Sequence, residues 1–134
     1  MKISKAVISD IEILLENDKY IVKSELENLI NLSRVYIIEE NKELIGWLRY
    51  NLFWDKIPFM NMLYILEKYR KKGYGRKMVL YWEENMKELG HKLVMTSTVS
   101  REYSQHFFNK LGYMAIGGFT LLDEPYEIIM EKVL

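Results

Sequence analysis

Apolar and polar positions change period repeatedly along this chain, and each change marks an element. Residues 2–8 read as a short strand. Ser9 followed by Glu12 has the form of a capping box, and Ile11, Leu14 and Leu15 put one apolar stripe on a short helix behind it. Leu26, Leu29 and Ile30 face inward on a second helix over 24–32. Residues 35–39 and 44–53 read as strands joined by a turn at Asn41-Lys42, and 59–66 as a further strand after a turn at 55–58. A longer helix covers 75–89, with Met78, Val79, Trp82, Met86 and Leu89 on one face and Gly90 as its stop. Residues 93–98 form a strand. Ser100 caps a helix running to Leu111 and ended by Gly112. Strands over 113–121 and 126–133 close the chain around a turn at 123–125. The order is β-α-α-β-β-β-α-β-α-β-β. This is an α/β or α+β fold, with a mixed sheet of about seven strands and helices on both faces. The stretch 59–98 is one crossover, whose two strands should run parallel and right-handed.

Length and composition sharpen this reading. The chain has 134 residues, which fits one domain over 1–134. Hydrophobic residues are 49% of it, enough for a packed core without staples. Nineteen basic and nineteen acidic residues cancel, whereas a general nucleic-acid binder is usually basic. There is no cysteine, so disulfides, a thiolate nucleophile and thiolate metal sites are excluded, and no metal is expected. No apolar run reaches the roughly 20 residues of a membrane span. The first residues lack a signal-peptide core. The expectation is a soluble, cytoplasmic protein with no membrane or nucleic-acid partner.

One segment departs from ordinary chemistry. Arg70, Lys71, Lys72, Gly73, Tyr74, Gly75, Arg76 and Lys77 lie between the strand ending at 66 and the long helix. Helix starts favour acids because the macrodipole is positive there, yet Arg76 and Lys77 stand in the first turn. An anion held between those cations and the exposed helix N–H groups accounts for the pattern. The glycines let the backbone turn inward and approach the guest. A solvated basic turn is the bland alternative. A Walker A loop is excluded by the spacing and the missing terminal hydroxyl residue, and a dinucleotide fingerprint lacks its third glycine, where Met78 stands.

The pattern Arg-x-x-Gly-x-Gly at Arg70, Gly73 and Gly75 resembles the acyl-coenzyme A loop of the Gcn5-related N-acetyltransferase (GNAT) superfamily. Residues 63–70 resemble that superfamily's fourth strand entering the loop. Residues 107–113, Phe-Phe-Asn-Lys-Leu-Gly-Tyr, resemble its late motif, usually Phe-Tyr-x-Lys-x-Gly-Phe/Tyr. The element order agrees, so the resemblance covers essentially the whole chain. It implies that acetyl-CoA wedges between the fourth and fifth strands. Backbone groups near Leu63 and Ile65 would pair with the pantetheine arm. N–H groups from Lys71 to Arg76, Tyr74 included, would hold the diphosphate, with charge from Arg70, Lys72, Arg76 and Lys77, Arg76 or Lys77 being alternatively placed to reach the ribose phosphate. The late helix, 102–108, with Phe108, would line the thiol end.

The same resemblance implies attack by a neutral amine on the thioester, with stabilisation of the carbonyl oxygen by an N–H near Ile65 and protonation of the departing thiolate. The usual proton donor is a Tyr where this chain has Phe108. Tyr103 lies on another helical face. Ser104, one turn before Phe108, shares its face, and Thr98, a water or an unassisted departure are alternatives. The usual strand-four glutamate is absent, leaving Asn61 to position a water. Asp55, Glu67, His106 and Asp123 are more distant base candidates, each also readable as a surface or turn residue, and His91 reads as solvated.

For the acceptor, Trp47, Arg49, Trp54 and Asn61 are the candidates, within a wider aromatic set of Tyr50, Phe53 and Tyr126 that also reads as core. Arg49 and Asn61 interrupt apolar strands and need partners. Arg49 either binds an acceptor carboxylate or pairs with a structural acid. The function implied is transfer of acetyl from acetyl-CoA to a primary amine on a small molecule or protein, with a homodimer left open. The alternative is an acyl-CoA-binding module of the same fold with little or no activity. A nucleic-acid binder using residues 68–77 is disfavoured by the neutral charge elsewhere.

Overall fold

The computed structural model describes residues 1–101 and 103–134. Its strands are β1 (Lys2–Lys5), β2 (Val35–Glu40), β3 (Glu43–Phe53), β4 (Ile57–Ile65), β5 (Leu93–Val99), β6 (Met114–Phe119) and β7 (Glu127–Val133). Its helices are α1 (Ile11–Asn17), α2 (Lys23–Asn31), α3 (Tyr74–Glu88) and α4 (Ser104–Lys110), with 3-10 turns at Ile8–Asp10 and Glu67–Tyr69. This is the expected element order. The seven strands follow the sheet order β1-β2-β3-β4-β5-β7-β6. β4 and β5 are parallel, paired at Phe59↔Met95 and Met60↔Thr96, while β5–β7 and β7–β6 are antiparallel.

Two compact units interleave along the chain. One comprises residues 1–51 and 62–82, the other residues 52–61 and 83–134. In the first, Leu26, Leu29 and Ile30 of α2 bury with Ile11 and Leu14 of α1, Val35 and Ile37 of β2, and Leu44 and Trp47 of β3. The i, i+3, i+4 spacing of the α2 triplet is what makes that stripe continuous. Asn41 and Lys42 both take positive φ, 51° and 66°, the geometry of a tight hairpin turn that matches strand twist. Gly46 of β3 is required by contact: a Cβ there would collide with the Tyr64 carbonyl oxygen and the Ile65 side chain.

A buried polar hub lies inside this unit. The Asp18 carboxylate accepts from Arg49 Nε at 2.8 Å, from Trp47 Nε1 at 3.1 Å and from the Tyr20 N–H at 3.1 Å. Asp18 and Arg49 are both buried, so each charge depends on the other for solvation. Arg49 therefore takes the structural alternative.

The second unit has its own hub. Glu83, on the inward face of α3, accepts from Tyr113 Oη at 2.8 Å and from Lys132 Nζ at 2.8 Å. Burial, with the negative charge of Glu83 next, drives the Tyr113 phenol far above its ordinary range, so it remains a donor. Thr96 Oγ1 donates to the Met60 carbonyl at 3.0 Å and ties β5 to β4 where they pair.

The structure corrects several boundaries. β1 stops at Lys5, short of Ile8. The expected Ser9/Glu12 capping box is replaced by Asp10, whose carboxylate accepts the Val7 N–H at 2.8 Å. β4 begins at Ile57, because the turn is tightened by positive φ at Trp54 and Asp55. α4 starts at Ser104 rather than after Ser100: the Ser100 N–H bonds the Tyr126 carbonyl and its carbonyl takes Gln105 Nε2, each at 2.9 Å. Leu89 is exposed, since α3 ends at Glu88 and Gly90 turns the chain with φ 95° while the His91 N–H bonds the Met86 carbonyl.

Removing one partner of a buried ion pair strands the other. We expect Asp18→Ala to lower the unfolding free energy by roughly 3–5 kcal/mol in urea denaturation. A loss below about 1 kcal/mol would show that Arg49 and Trp47 find other partners.

Candidate functional site

The basic loop sits wholly in the first unit. After β4, the 3-10 turn Glu67–Tyr69 is closed by the Tyr69 N–H on the Leu66 carbonyl at 2.8 Å. The Leu66 N–H bonds the Ile45 carbonyl of β3 at 2.8 Å, which fixes where the chain leaves the sheet. Lys71 and Gly73 then take positive φ, 63° and 86°. Gly73 has open space around the position of a Cβ, so its requirement is conformational rather than steric.

α3 starts at once. The Lys77 N–H makes the first i→i−4 bond, to the Gly73 carbonyl at 3.1 Å. The N–H groups of Tyr74, Gly75 and Arg76 precede that ladder. Gly73 stands at the cap position and brings no side-chain oxygen, and the first turn carries no acid. Lys71, Lys72, Arg76 and Lys77 are exposed, and among the described residues no carboxylate pairs with any of them. Helix-end polarity and four unneutralised cations thus converge on one short stretch, an arrangement that stabilises a bound anion.

Two side chains have more specific settings. Arg70 Nε donates to the Ile65 carbonyl at 2.8 Å, and its guanidinium lies 5.0 Å from the centroid of Tyr64. Arg70 thereby ties the loop to the end of β4, a bracing role that sequence reasoning did not assign. Lys77 Nζ lies 5.9 Å over the Tyr74 ring. Tyr74 Oη donates to Glu40 at 3.1 Å and Tyr69 Oη to Glu43 at 2.6 Å. The phenol of Tyr69, with Lys68 beside it, holds the Glu43 carboxyl below its usual range. The carboxylates in turn raise Tyr69 and Tyr74. Leu63 and Ile65 are half-buried on β4 just ahead of the loop.

In the second unit Phe108 is buried in α4, edge-on to Tyr113 at 5.3 Å and to Phe107 at 5.1 Å. Ser104 is half-buried at the first turn of α4. Glu102, within the expected thiol-end segment, lies outside the described residues. Thr98 is buried with its hydroxyl unpartnered among the described residues. Tyr103 and His106 are exposed and pack on one another at 5.3 Å.

Several acceptor candidates change character. Trp47 is buried, hydrogen-bonded to Asp18 and stacked on Tyr64 at 4.8 Å. Arg49 is held by the same carboxylate. Asn61 is exposed rather than buried, because its position on β4 points the other way from buried Met60. Trp54 is 73% exposed on the β3–β4 turn, where it packs on Phe53. Asp55 and Asp123 occupy exposed turns with positive φ, Glu67 is exposed, and His91 is half-buried rather than solvated. Among the described residues no cluster of three His, Cys, Asp or Glu could hold a metal ion, and no helix is long and apolar enough to cross a membrane.

Sequence reasoning missed Asp18, Glu83, Glu40 and Glu43. Glu83 was legible: it sits four residues after Val79 and three before Met86, on an otherwise apolar face. The other three are joined to partners 31, 34 and 26 residues away, and no local pattern announces them.

Several known proteins are similar to this chain. Over 105 residues the chain is 27% identical to the beta-lysine N(6)-acetyltransferase of Methanococcus maripaludis, covering 77% of this chain and 37% of that protein. The chain thus spans little more than a third of that relative's length. An acetyltransferase of the GNAT family from Bacillus cereus superposes with a TM-score of 0.80 at 25% identity, over 98% of this chain and 96% of that one. The PaiA N-acetyltransferase of Thermoplasma acidophilum, solved in complex with coenzyme A, superposes at 0.82 with 22% identity, over 99% and 98%. The model of the acetyltransferase (GNAT) family matches residues 10–113, from the start of α1 through the late aromatic motif, and the chain belongs to that family.

Proposed function

We propose that this chain is an acetyl-CoA-dependent N-acetyltransferase acting on a primary amine of a small molecule or a protein. One observation carries the reading. The start of α3 combines N–H groups ahead of the helical ladder with exposed Lys71, Lys72, Arg76 and Lys77, which have no carboxylate partner among the described residues. That is the chemistry a diphosphate requires. The beta-lysine N(6)-acetyltransferase and the coenzyme A complex of PaiA support coenzyme A as the carrier and an amine as the acceptor.

In this reading the 71–76 backbone and its cations hold the diphosphate, and β4 at Leu63 and Ile65 offers backbone groups to the pantetheine arm. The amine nitrogen attacks the thioester carbon and loses a proton to water or buffer. The carbon–sulfur bond breaks, and the thiolate leaves and takes up a proton. The residues that family members use for these protons are replaced here: β4 carries no carboxylate, and Phe108 has no hydroxyl. Catalysis then rests on orientation of the thioester and amine, which is a large term by itself. Ser104 and Asn61 remain the polar side chains proposed for the reaction, and Asn61 and Trp54 for acceptor contact.

The same two features favour a second reading, a coenzyme A-binding module with little turnover. Thermal and kinetic assays separate the two. Acetyl-CoA at about 100 times its dissociation constant should stabilise the fold by about 2.7 kcal/mol, a rise of several degrees in Tm. Thiol release in a panel of primary amines identifies the enzyme; a Tm shift without thiol release identifies the module. No Tm shift removes both.

We expect Gly75→Val to weaken acetyl-CoA binding more than tenfold while the fold persists, because a branched side chain in the first turn of α3 obstructs approach to its N–H groups. Unchanged affinity in a folded variant contradicts the cradle.

Phe108→Tyr is expected to keep or raise kcat, by supplying the hydroxyl that family members place at this position. A severe loss of kcat at unchanged Tm would contradict the placement of this residue.

A further inference from the structure

Glu40 closes β2 and Glu43 opens β3, and the two are direct partners across the hairpin. Like charges set opposite one another destabilise a hairpin. Here each carboxylate has a separate phenol. Tyr69 Oη donates to Glu43 at 2.6 Å, and Tyr74 Oη donates to Glu40 at 3.1 Å. Lys68 Nζ lies 3.8 Å from Glu43, and the Met1 amino group 3.9 Å from Glu40. These contacts all lie within the first unit.

The two tyrosines are not arbitrary positions. Tyr69 is the last residue of the 3-10 turn and Tyr74 the first of α3. They bracket residues 70–73, the segment that holds the positive-φ residues Lys71 and Gly73. Their rings meet edge-on at 6.3 Å. Each ring also carries a cation: Lys68 at 5.1 Å over Tyr69 and Lys77 at 5.9 Å over Tyr74. Both ends of a glycine-containing, exposed loop are therefore fastened to the tip of one tight hairpin. Loops of this composition otherwise sample many conformations, and ordering them on binding costs affinity.

We propose that Tyr69–Glu43 and Tyr74–Glu40 are positioning pairs that hold the 70–73 loop in its anion-receiving conformation and so set affinity for the diphosphate end of coenzyme A. The inference rests on the cradle reading above. The tyrosines act through the loop backbone, and the glutamates through the tyrosines. The carboxylates cannot act by charge, since their sign opposes the guest. Removing them for their charge alone would strengthen binding, while removing the tether weakens it.

That difference in sign makes the test sharp. Dissociation constants are measured by calorimetry for acetyl-CoA and for 3′-phospho-ADP, which carries the diphosphate without the pantetheine arm. Each tether is a single hydrogen bond at the surface, exposed for Tyr69 and part-buried for Tyr74, so the double variant Tyr69→Phe/Tyr74→Phe should keep a near wild-type Tm without ligand. Its affinity for both probes should fall about tenfold, the sum of two modest hydrogen bonds. Glu43→Gln keeps an acceptor for Tyr69 and should bind within about threefold of wild type, whereas Glu43→Ala should lose as much as Tyr69→Phe. Unchanged affinity in the double variant overturns the proposal. So does tighter binding by Glu43→Ala, which would make the carboxylate a mere electrostatic opponent. Wild-type protein that binds neither probe overturns the cradle itself, and the tethers' role with it.

Discussion

The N-terminus of α3 is left without the partners that helices ordinarily acquire. Its cap residue is Gly73, its first turn has no acid, and the cations beside it have no carboxylates among the described residues. Positive charge gathered against the positive end of a helix is self-repelling. A protein retains such an arrangement when a guest anion resolves it. The surrounding structure is consistent with holding this unsatisfied state open. Gly46 lets β3 close on β4 at Tyr64 and Ile65, Arg70 ties the loop back to Ile65, and two tyrosines fasten the loop ends to the β2–β3 hairpin.

Each compact unit is organised around a buried carboxylate. Asp18 gathers Arg49, Trp47 and the Tyr20 backbone in the first; Glu83 gathers Tyr113 and Lys132 in the second. A buried acid with several donors costs little once all are in place and much if any is removed. Such hubs favour one arrangement of the strands and helices around them over near alternatives. In the first unit the hub joins the end of α1 to β3, the strand whose neighbour β4 leads into the basic loop. Trp47 and Arg49, both acceptor candidates from the sequence, are part of that hub.

Element order and the position of the basic loop ahead of α3 were legible because they follow from local rules. Helical periodicity identified α2 and α3, glycine marked the ends of α3 and α4, and misplaced cations marked the loop. Errors arose where the deciding contact was remote. Arg49 could be read either as a ligand or as a partner of a structural acid, because that acid, Asp18, lies 31 residues away. Asn61 looked buried because β4 is apolar around it, though strand alternation turns it outward. Ser100 looked like a helix cap, but the last hairpin holds its backbone at Tyr126. The tethers Tyr69–Glu43 and Tyr74–Glu40 were invisible for the same reason, since tyrosine beside a basic loop reads as ordinary surface.

The central claim is that main-chain N–H groups between Lys71 and Arg76 grip a diphosphate. A crystal structure of the protein with coenzyme A tests it most directly. The expected result is diphosphate oxygens within hydrogen-bond distance of those N–H groups, with Tyr69 and Tyr74 still bonded to Glu43 and Glu40. Coenzyme A bound elsewhere, with that stretch of backbone facing solvent, would contradict it.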